Sequence, residues 1–354
     1  MNAKKKLALL LSLVLLVMML PATVLAEEAT AEVVAPPLYL ALGDSISFGL
    51  TDYDFAESEF DGYTQMFYDD VLEDLGFVHD ENLNNLSYPG DTTQDLLNLL
   101  NGEDHLEGIY NRVPALQYYL PQADIITISI GSNNLLGPFI AGIAGMYEGI
   151  DSVLGDITGA AMLTQLAGAI YSDYHDGDTS TPETKLAALM DPLDDAWHEG
   201  TIQFLNDWAV ILAKIRKINP DAKIYVNNLY NPLLASKLSS PSFAGFYDLV
   251  NKYISKINSQ MNRLGKNGRF EYTVVDVYQP FDNVGNFGYL LGSPPNPLTA
   301  PVAFNLPLAL LTIQSAQSFD EINLPSFIIF CDPHPTTFGH MIITQELVLV
   351  AEID

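Results

Sequence analysis

Three residues carry the chemistry that stands out in this chain: Ser45 in Gly43-Asp44-Ser45, and Asp332 and His334 in Cys331-Asp332-Pro333-His334-Pro335. A serine hydroxyl is a weak nucleophile until a neighbouring base takes its proton. Imidazole titrates in the right range to take that proton and return it to a leaving group. A carboxylate beside the imidazole can hold its tautomer. Attack on a carbonyl also creates an oxyanion, which needs donors aimed in advance. The N–H groups of Ser45 and Gly90 and the side-chain amide of Asn133 are donors of that kind. By itself Gly-Asp-Ser also reads as a strand followed by an Asp-Ser turn, and a lone histidine is more often structural. The prolines around His334, the adjacent Asp332 and the helix that follows make a shaped loop. Taken together, the parts point to acyl transfer.

These parts need elements to hold them. Leu38 to Leu42 is an apolar run of strand length that stops at Gly43. Asn85-Leu86-Ser87-Tyr88 reads as a second short strand before Pro89-Gly90. Asp124 to Ile130 reads as a third, stopping at Gly131, Lys223 to Asn228 as a fourth and Tyr272 to Val277 as a fifth. Helical spacing separates them: Tyr63 to Leu75 with Gly76 beyond it, a helix capped by Thr92 or Thr93, Val113 to Leu120, Thr201 to Lys217, Phe243 to Leu264, and a last helix through Leu349. Strands alternating with amphipathic helices imply a parallel sheet covered on both faces. Ligands of such sheets bind outside the carboxyl ends of the strands, where Ser45 is expected. Trp197 and Trp208 lie at or within the helix region and read as core.

The chain has 354 residues and a formal charge of −29. Residues 1–26 read as a signal peptide: Lys4, Lys5 and Lys6, then apolar Leu7 to Leu20, then Val24-Leu25-Ala26 as a cleavage site. Cleavage would remove three lysines and no acid, taking the charge from −29 to −32. Residues 27–36 read as a linker, and residues 37–354 as one domain. The expectation is a secreted chain with no stable membrane anchor after cleavage. Such a surface repels phosphate backbones, so nucleic acid is not an expected partner. Cys331 is the single cysteine, so no internal disulfide can form. Ser172 to Thr184 reads as a polar loop, and its Asp173, Asp176 and Asp178 do not have the spacing of a calcium loop.

Four blocks in order, each after an expected strand or before an expected helix, resemble those of the SGNH hydrolases, also called GDSL esterases and lipases. They are Gly43-Asp44-Ser45, the Gly90 turn, Gly131-x-Asn133 and Asp332-x-His334-Pro335. The resemblance implies a three-layer α/β/α sandwich with a five-stranded parallel sheet of flavodoxin-like form. It implies ester hydrolysis through an acyl-enzyme without metal or cofactor. Ser45 would be the nucleophile, His334 the base, Asp332 its orienting acid, and Ser45, Gly90 and Asn133 the oxyanion donors. Two positions depart from the family's pattern. Asn134 stands where an Asp is usual, and reads as support for its loop. The acid lies two residues before the histidine, where Cys331 occupies the more usual place three before.

Two apolar stretches, Leu135–Tyr171 and Val284–Phe327, are inserted beside the third and fourth blocks, within insertions at about residues 135–200 and 284–327. They read either as an added helical layer or as an acyl groove or lid near the catalytic edge. The groove would favour lipid or medium- and long-chain esters as the small-molecule substrate. A carbohydrate O-deacetylase on the same fold is the alternative enzyme, and a non-catalytic secreted binding protein the alternative of another class.

Overall fold

The computed structural model describes residues 37–51, 62–77, 82–106, 108, 110–147, 159–176, 181–239, 243–283, 301–302, 306–322 and 333–351. The expected signal peptide and linker, Asp332 and parts of both insertions lie outside the described residues. Five strands, β1 (Tyr39–Gly43), β2 (Leu83–Asn85), β3 (Ile125–Ser129), β4 (Lys223–Asn227) and β5 (Tyr272–Val275), form one parallel sheet in the order β2-β1-β3-β4-β5. The helices between and after them are α1 (Ser45–Phe48), α2 (Tyr63–Phe67), α3 (Thr93–Asn101), α4 (Val113–Tyr119), α5 (Ser132–Gly145), α6 (Gly159–His175), α7 (Pro182–Ala188), α8 (Met190–Ile218), α9 (Leu234–Ser239), α10 (Ala244–Lys266), α11 (Leu306–Gln314) and α12 (Thr337–Ala351).

β1 and β3 are buried along their whole length, as strands covered on both faces must be. Side chains alternate between those faces. Tyr39 of β1 meets Phe67 edge-on, and Tyr225 of β4 donates to the Ala351 carbonyl, so α2 and α12 cover one face. Tyr272 is in register with Ile224, one residue out of phase with Tyr225, and meets Trp208 of α8 edge-on. That places α8 on the other face, where it packs against α3 and α10. The result is the α/β three-layer sandwich.

Several boundaries differ from the sequence expectation. β2 covers Leu83–Asn85, two residues early. Leu86 and Tyr88 still donate to the carbonyls of Ala41 and Gly43 (both 2.9 Å), so the expected stretch does run along the edge of β1. α2 continues as a π turn (Tyr68–Leu72) and a 3₁₀ turn (Glu73–Leu75) before left-handed Gly76. A hydrophobic period cannot separate these turns over so few residues. The stretch 172–184 is not one loop: α6 reaches His175, α7 starts at Pro182, and Asp173 pairs with Lys185 at 2.6 Å. α8 begins eleven residues before Thr201, at Met190. Among the described residues, no helix is long and apolar enough to cross a membrane.

Two features of this frame are testable. At the end of β1, Gly43 has φ of +138°, and a Cβ there would lie 1.9 Å from the Ser129 carbonyl oxygen of β3. Neither backbone can yield without breaking the sheet. Gly43→Ala is therefore expected to destabilise the fold by about 3 kcal/mol or more in urea unfolding; an unchanged midpoint would contradict the close approach.

His340 of α12 has no exposed surface. Its Nδ1 accepts from the Tyr63 N–H (3.1 Å) and its Nε2 lies 3.0 Å from the Leu50 carbonyl, so the neutral ring uses both nitrogens. Burial pushes its pKa down to about 4 from 6.5. The unfolded chain takes up this proton near 6.5 and the folded chain does not, so stability is full above 6.5 and falls as the pH drops towards 4. The loss from this one group is about 3 kcal/mol at the acid end. Urea melts over that window should slope less steeply for His340→Asn than for the native chain, and equal slopes would contradict a buried neutral ring.

Candidate active site

Ser45 is the first helical residue after β1 and is nearly buried. Asp44 caps α1, its carboxylate accepting from the Ile46 N–H at 3.1 Å. Ser47 fixes the turn from behind: its hydroxyl donates to the Leu42 carbonyl (3.1 Å) and bonds the Tyr63 hydroxyl (2.7 Å). The serine therefore sits at the carboxyl edge of the sheet with its backbone pinned on both sides.

β3 ends in the same manner. Gly131 has φ of +112°, and a side chain there would run into Phe204 of α8. Asn133 follows at the start of α5 and donates through Nδ2 to the Asp91 carbonyl at 3.0 Å. Asn134 supports the loop as the sequence suggests. Its Oδ1 accepts from the Thr93 N–H (3.2 Å) and its Nδ2 donates to the Thr93 hydroxyl (3.0 Å). Gly200 lets α8 come so close that a Cβ would lie 2.0 Å from the Asn134 carbonyl oxygen.

The histidine arrives from the far end of the chain. His334 is half-buried between two anchored prolines. The Tyr230 hydroxyl donates to the Pro333 carbonyl at 2.8 Å. Pro335 bridges Val302, and the Thr336 N–H donates to the Pro301 carbonyl at 3.0 Å. The second apolar stretch thus holds the loop that carries His334.

Ser45, Asn133 and His334 line one cavity. The rest of its wall is apolar: Leu135, Leu136 and Phe139 of α5, Trp197 of α8, Leu229 and Leu233 after β4, and Val250 and Ile254 of α10. Trp197 is core, as the sequence suggests, and also lines this cavity. Its indole N–H donates to the Leu135 carbonyl at 2.6 Å. Gly90 does not line the cavity. It has φ of +90° in the turn closed by the Asp91 N–H and the Tyr88 carbonyl (3.2 Å), one residue from the carbonyl that holds Asn133. Asp332 lies outside the described residues.

Two buried carboxyls shape the electrostatics. Burial pushes Asp44 up to about 7, against the pull of the Ile46 N–H, Ser132 and the nearby His334. Burial likewise pushes Asp91 up to about 6, against the Arg112 guanidinium. Among the described residues, no cluster of three His, Cys, Asp or Glu could hold a metal ion. Sequence reasoning missed Asp44 as a cap, Arg112 beside the Gly90 turn, and Tyr230. Only Asp44 carried a local signal, an acid directly before a short helix.

A search of curated proteins returns no match. Solved structures of similar shape include the lipase Lip_vut3 from a goat rumen metagenome, at 19% identity over 90% of this chain and 98% of that one, with a TM-score of 0.47. Phospholipase A1 from Streptomyces albidoflavus NA297 follows at 12% identity, 90% and 100% coverage and a TM-score of 0.45. A catalytic mutant of the acetylxylan esterase Axe2 from Geobacillus stearothermophilus has 15% identity, 90% and 95% coverage and a TM-score of 0.32. The model of the GDSL-like lipase/acylhydrolase family matches residues 41–295, which span the sheet from β1 to β5 together with Ser45, Gly90 and Asn133. The chain belongs to the GDSL-like lipase/acylhydrolase family, a family of hydrolases.

Proposed function

We propose that this protein is a serine hydrolase of carboxylic esters that works through an acyl-enzyme. The observation that carries the reading is that Ser45, Asn133 and His334 share the wall of one apolar cavity. His334 takes the Ser45 proton as Oγ attacks the ester carbonyl. The oxyanion is met by the N–H groups of Ser45 and Gly90 and by the Asn133 amide. His334 then gives the proton to the leaving alcohol as the C–O bond breaks. Water enters, loses a proton to His334, and releases the acid and free serine. Asp332 orients the imidazole. The apolar wall takes the acyl chain, so the substrates are lipid or medium- and long-chain esters. The signal-like residues 1–26 support secretion, and the acidity of the chain supports a substrate other than nucleic acid.

A serine-directed organophosphonate should label Ser45 stoichiometrically. Ser45→Ala and His334→Ala should each lose on the order of 10³-fold or more in kcat, and the double variant little more than the worse single, because the pair acts as a unit. A near-normal rate in either single variant would remove that residue from the mechanism.

p-Nitrophenyl esters of increasing chain length should gain about 0.8 kcal/mol in transition-state binding for each buried CH₂ until the cavity is full. A profile that peaks at acetyl and collapses by hexanoyl, with acetylated xylan hydrolysed, would replace this reading with the deacetylase.

Asp332→Asn should lower kcat by roughly 10²–10⁴-fold in a folded protein. A loss under about tenfold would mean that a backbone carbonyl orients His334.

A further inference from the structure

Arg112 has no exposed surface, and its guanidinium is shared among three segments. Nη1 donates to the Asp91 carboxylate at 2.7 Å and to the Leu86 carbonyl at 3.2 Å. Nε and Nη2 grip the Asp104 carboxylate at 3.1 and 3.0 Å. Asp104 in turn accepts from the Arg112 backbone N–H at 2.9 Å, so the head and the backbone of the arginine are tied to one anchor. The guanidinium carbon lies 5.6 Å from the centre of the Tyr88 ring. The one fork therefore holds residues on both sides of the Gly90 turn: Leu86 and Tyr88 before it, Asp91 after it.

That turn leads to the reacting centre by two routes. The Tyr88 N–H donates to the Gly43 carbonyl at 2.9 Å, two residues before Ser45. The Asp91 carbonyl accepts from Asn133 Nδ2 at 3.0 Å, which uses one amide hydrogen and sets the direction of the other. A buried cation with two carboxylate partners is costly to desolvate, and apolar residues of equal volume often stabilise a fold as well or better. What a planar fork adds is orientation, because its donors leave at fixed angles. Oxyanion donors are useful only when held to within about 0.5 Å of their productive position around the developing charge.

We infer that Arg112 is a positioning residue that fixes the turn at Gly90 and, through the Asp91 carbonyl, aims the Asn133 amide at the oxyanion. The inference rests on the ester-hydrolase reading of the same site. Arg112→Lys keeps the charge and loses the fork, since an ammonium cannot hold Asp91, Asp104 and the Leu86 carbonyl in one plane. Asp91→Asn keeps the backbone carbonyl that holds Asn133 and weakens the carboxylate's ties to Arg112 and to His105, whose Nε2 lies 3.6 Å from the other oxygen.

The experiment measures kcat and KM for Arg112→Lys, Asp91→Asn and Asn133→Ala, and for Arg112→Lys combined with Asn133→Ala, on one p-nitrophenyl ester. Circular dichroism and a melting curve select the folded variants. The expected result is a 10- to 100-fold loss of kcat in Arg112→Lys, a smaller loss in the same direction in Asp91→Asn, and KM within about threefold for both. The Arg112→Lys loss should shrink severalfold when Asn133 is already Ala, because the amide it aims is gone. A general loosening of the fold would raise KM and leave the two losses independent. If Arg112→Lys does not fold, Asp91→Asn alone decides, in the native and Asn133→Ala backgrounds. A folded Arg112→Lys or Asp91→Asn with native kcat, or losses that are fully additive with Asn133→Ala, would overturn the inference. A native protein that neither turns over esters nor is labelled at Ser45 would overturn the hydrolase reading instead, and that result is obtained before any variant is made.

Discussion

The ends of β1 and β3 approach each other with no room for a side chain between them, and the site depends on this contact. Gly43 is opposite Ser129, and the Asp44 N–H donates to the Ser129 carbonyl at 2.9 Å. A left-handed glycine turns the chain sharply out of the sheet, and Asp44 at once caps a helical turn. Ser45 thus stands where strand becomes helix, with its own N–H in the first turn. Gly131 repeats the device at the end of β3 and delivers Asn133 to the start of α5. Because parallel strands all end on one edge, two such turns on adjacent strands put their products side by side.

Behind these turns lies a polar layer in an otherwise apolar interior. Asp44, Asp91, Arg112, Thr93 and Asn134 are all buried. Buried polar groups are tolerable when bonded, and their bonds then fix geometry more tightly than apolar contacts would. Asn134 ties the end of β3 to α3 through Thr93, whose hydroxyl continues to Asp207 of α8 at 2.9 Å. In this layer each donor is backed by an element from elsewhere in the chain.

The apolar stretches add helices beside the sheet and also line the cavity. α5, α6 and α7 form added helical structure after β3, and α11 lies against α6. α5 also contributes Leu135, Leu136 and Phe139 to the cavity wall, and Pro301 and Val302 of the second stretch clamp the loop that holds His334. Groove wall and added layer are two faces of one helix, because an enclosed helix can be apolar on more than one side.

Strand positions, the helices between them and the grouping of Ser45, Asn133 and His334 at one edge of the sheet were legible in the sequence. They depend on local signals: apolar runs that stop at glycine, helical spacing, prolines around a histidine. Boundaries were less legible, as at β2, because an edge strand is defined by what it pairs with and Leu83 carries no mark of Tyr39. Sequence could offer Trp197 as core but not as cavity wall, since that depends on α5, α8 and α10 meeting. Nor could it pair Arg112 with Asp91 and Asp104, or Tyr230 with Pro333, which lies 103 residues away. Local preference acts over a few residues and chooses helix, strand or turn. Which distant side chain neutralises a buried charge or holds a loop is decided only when the sheet assembles and every buried polar group must find its partner.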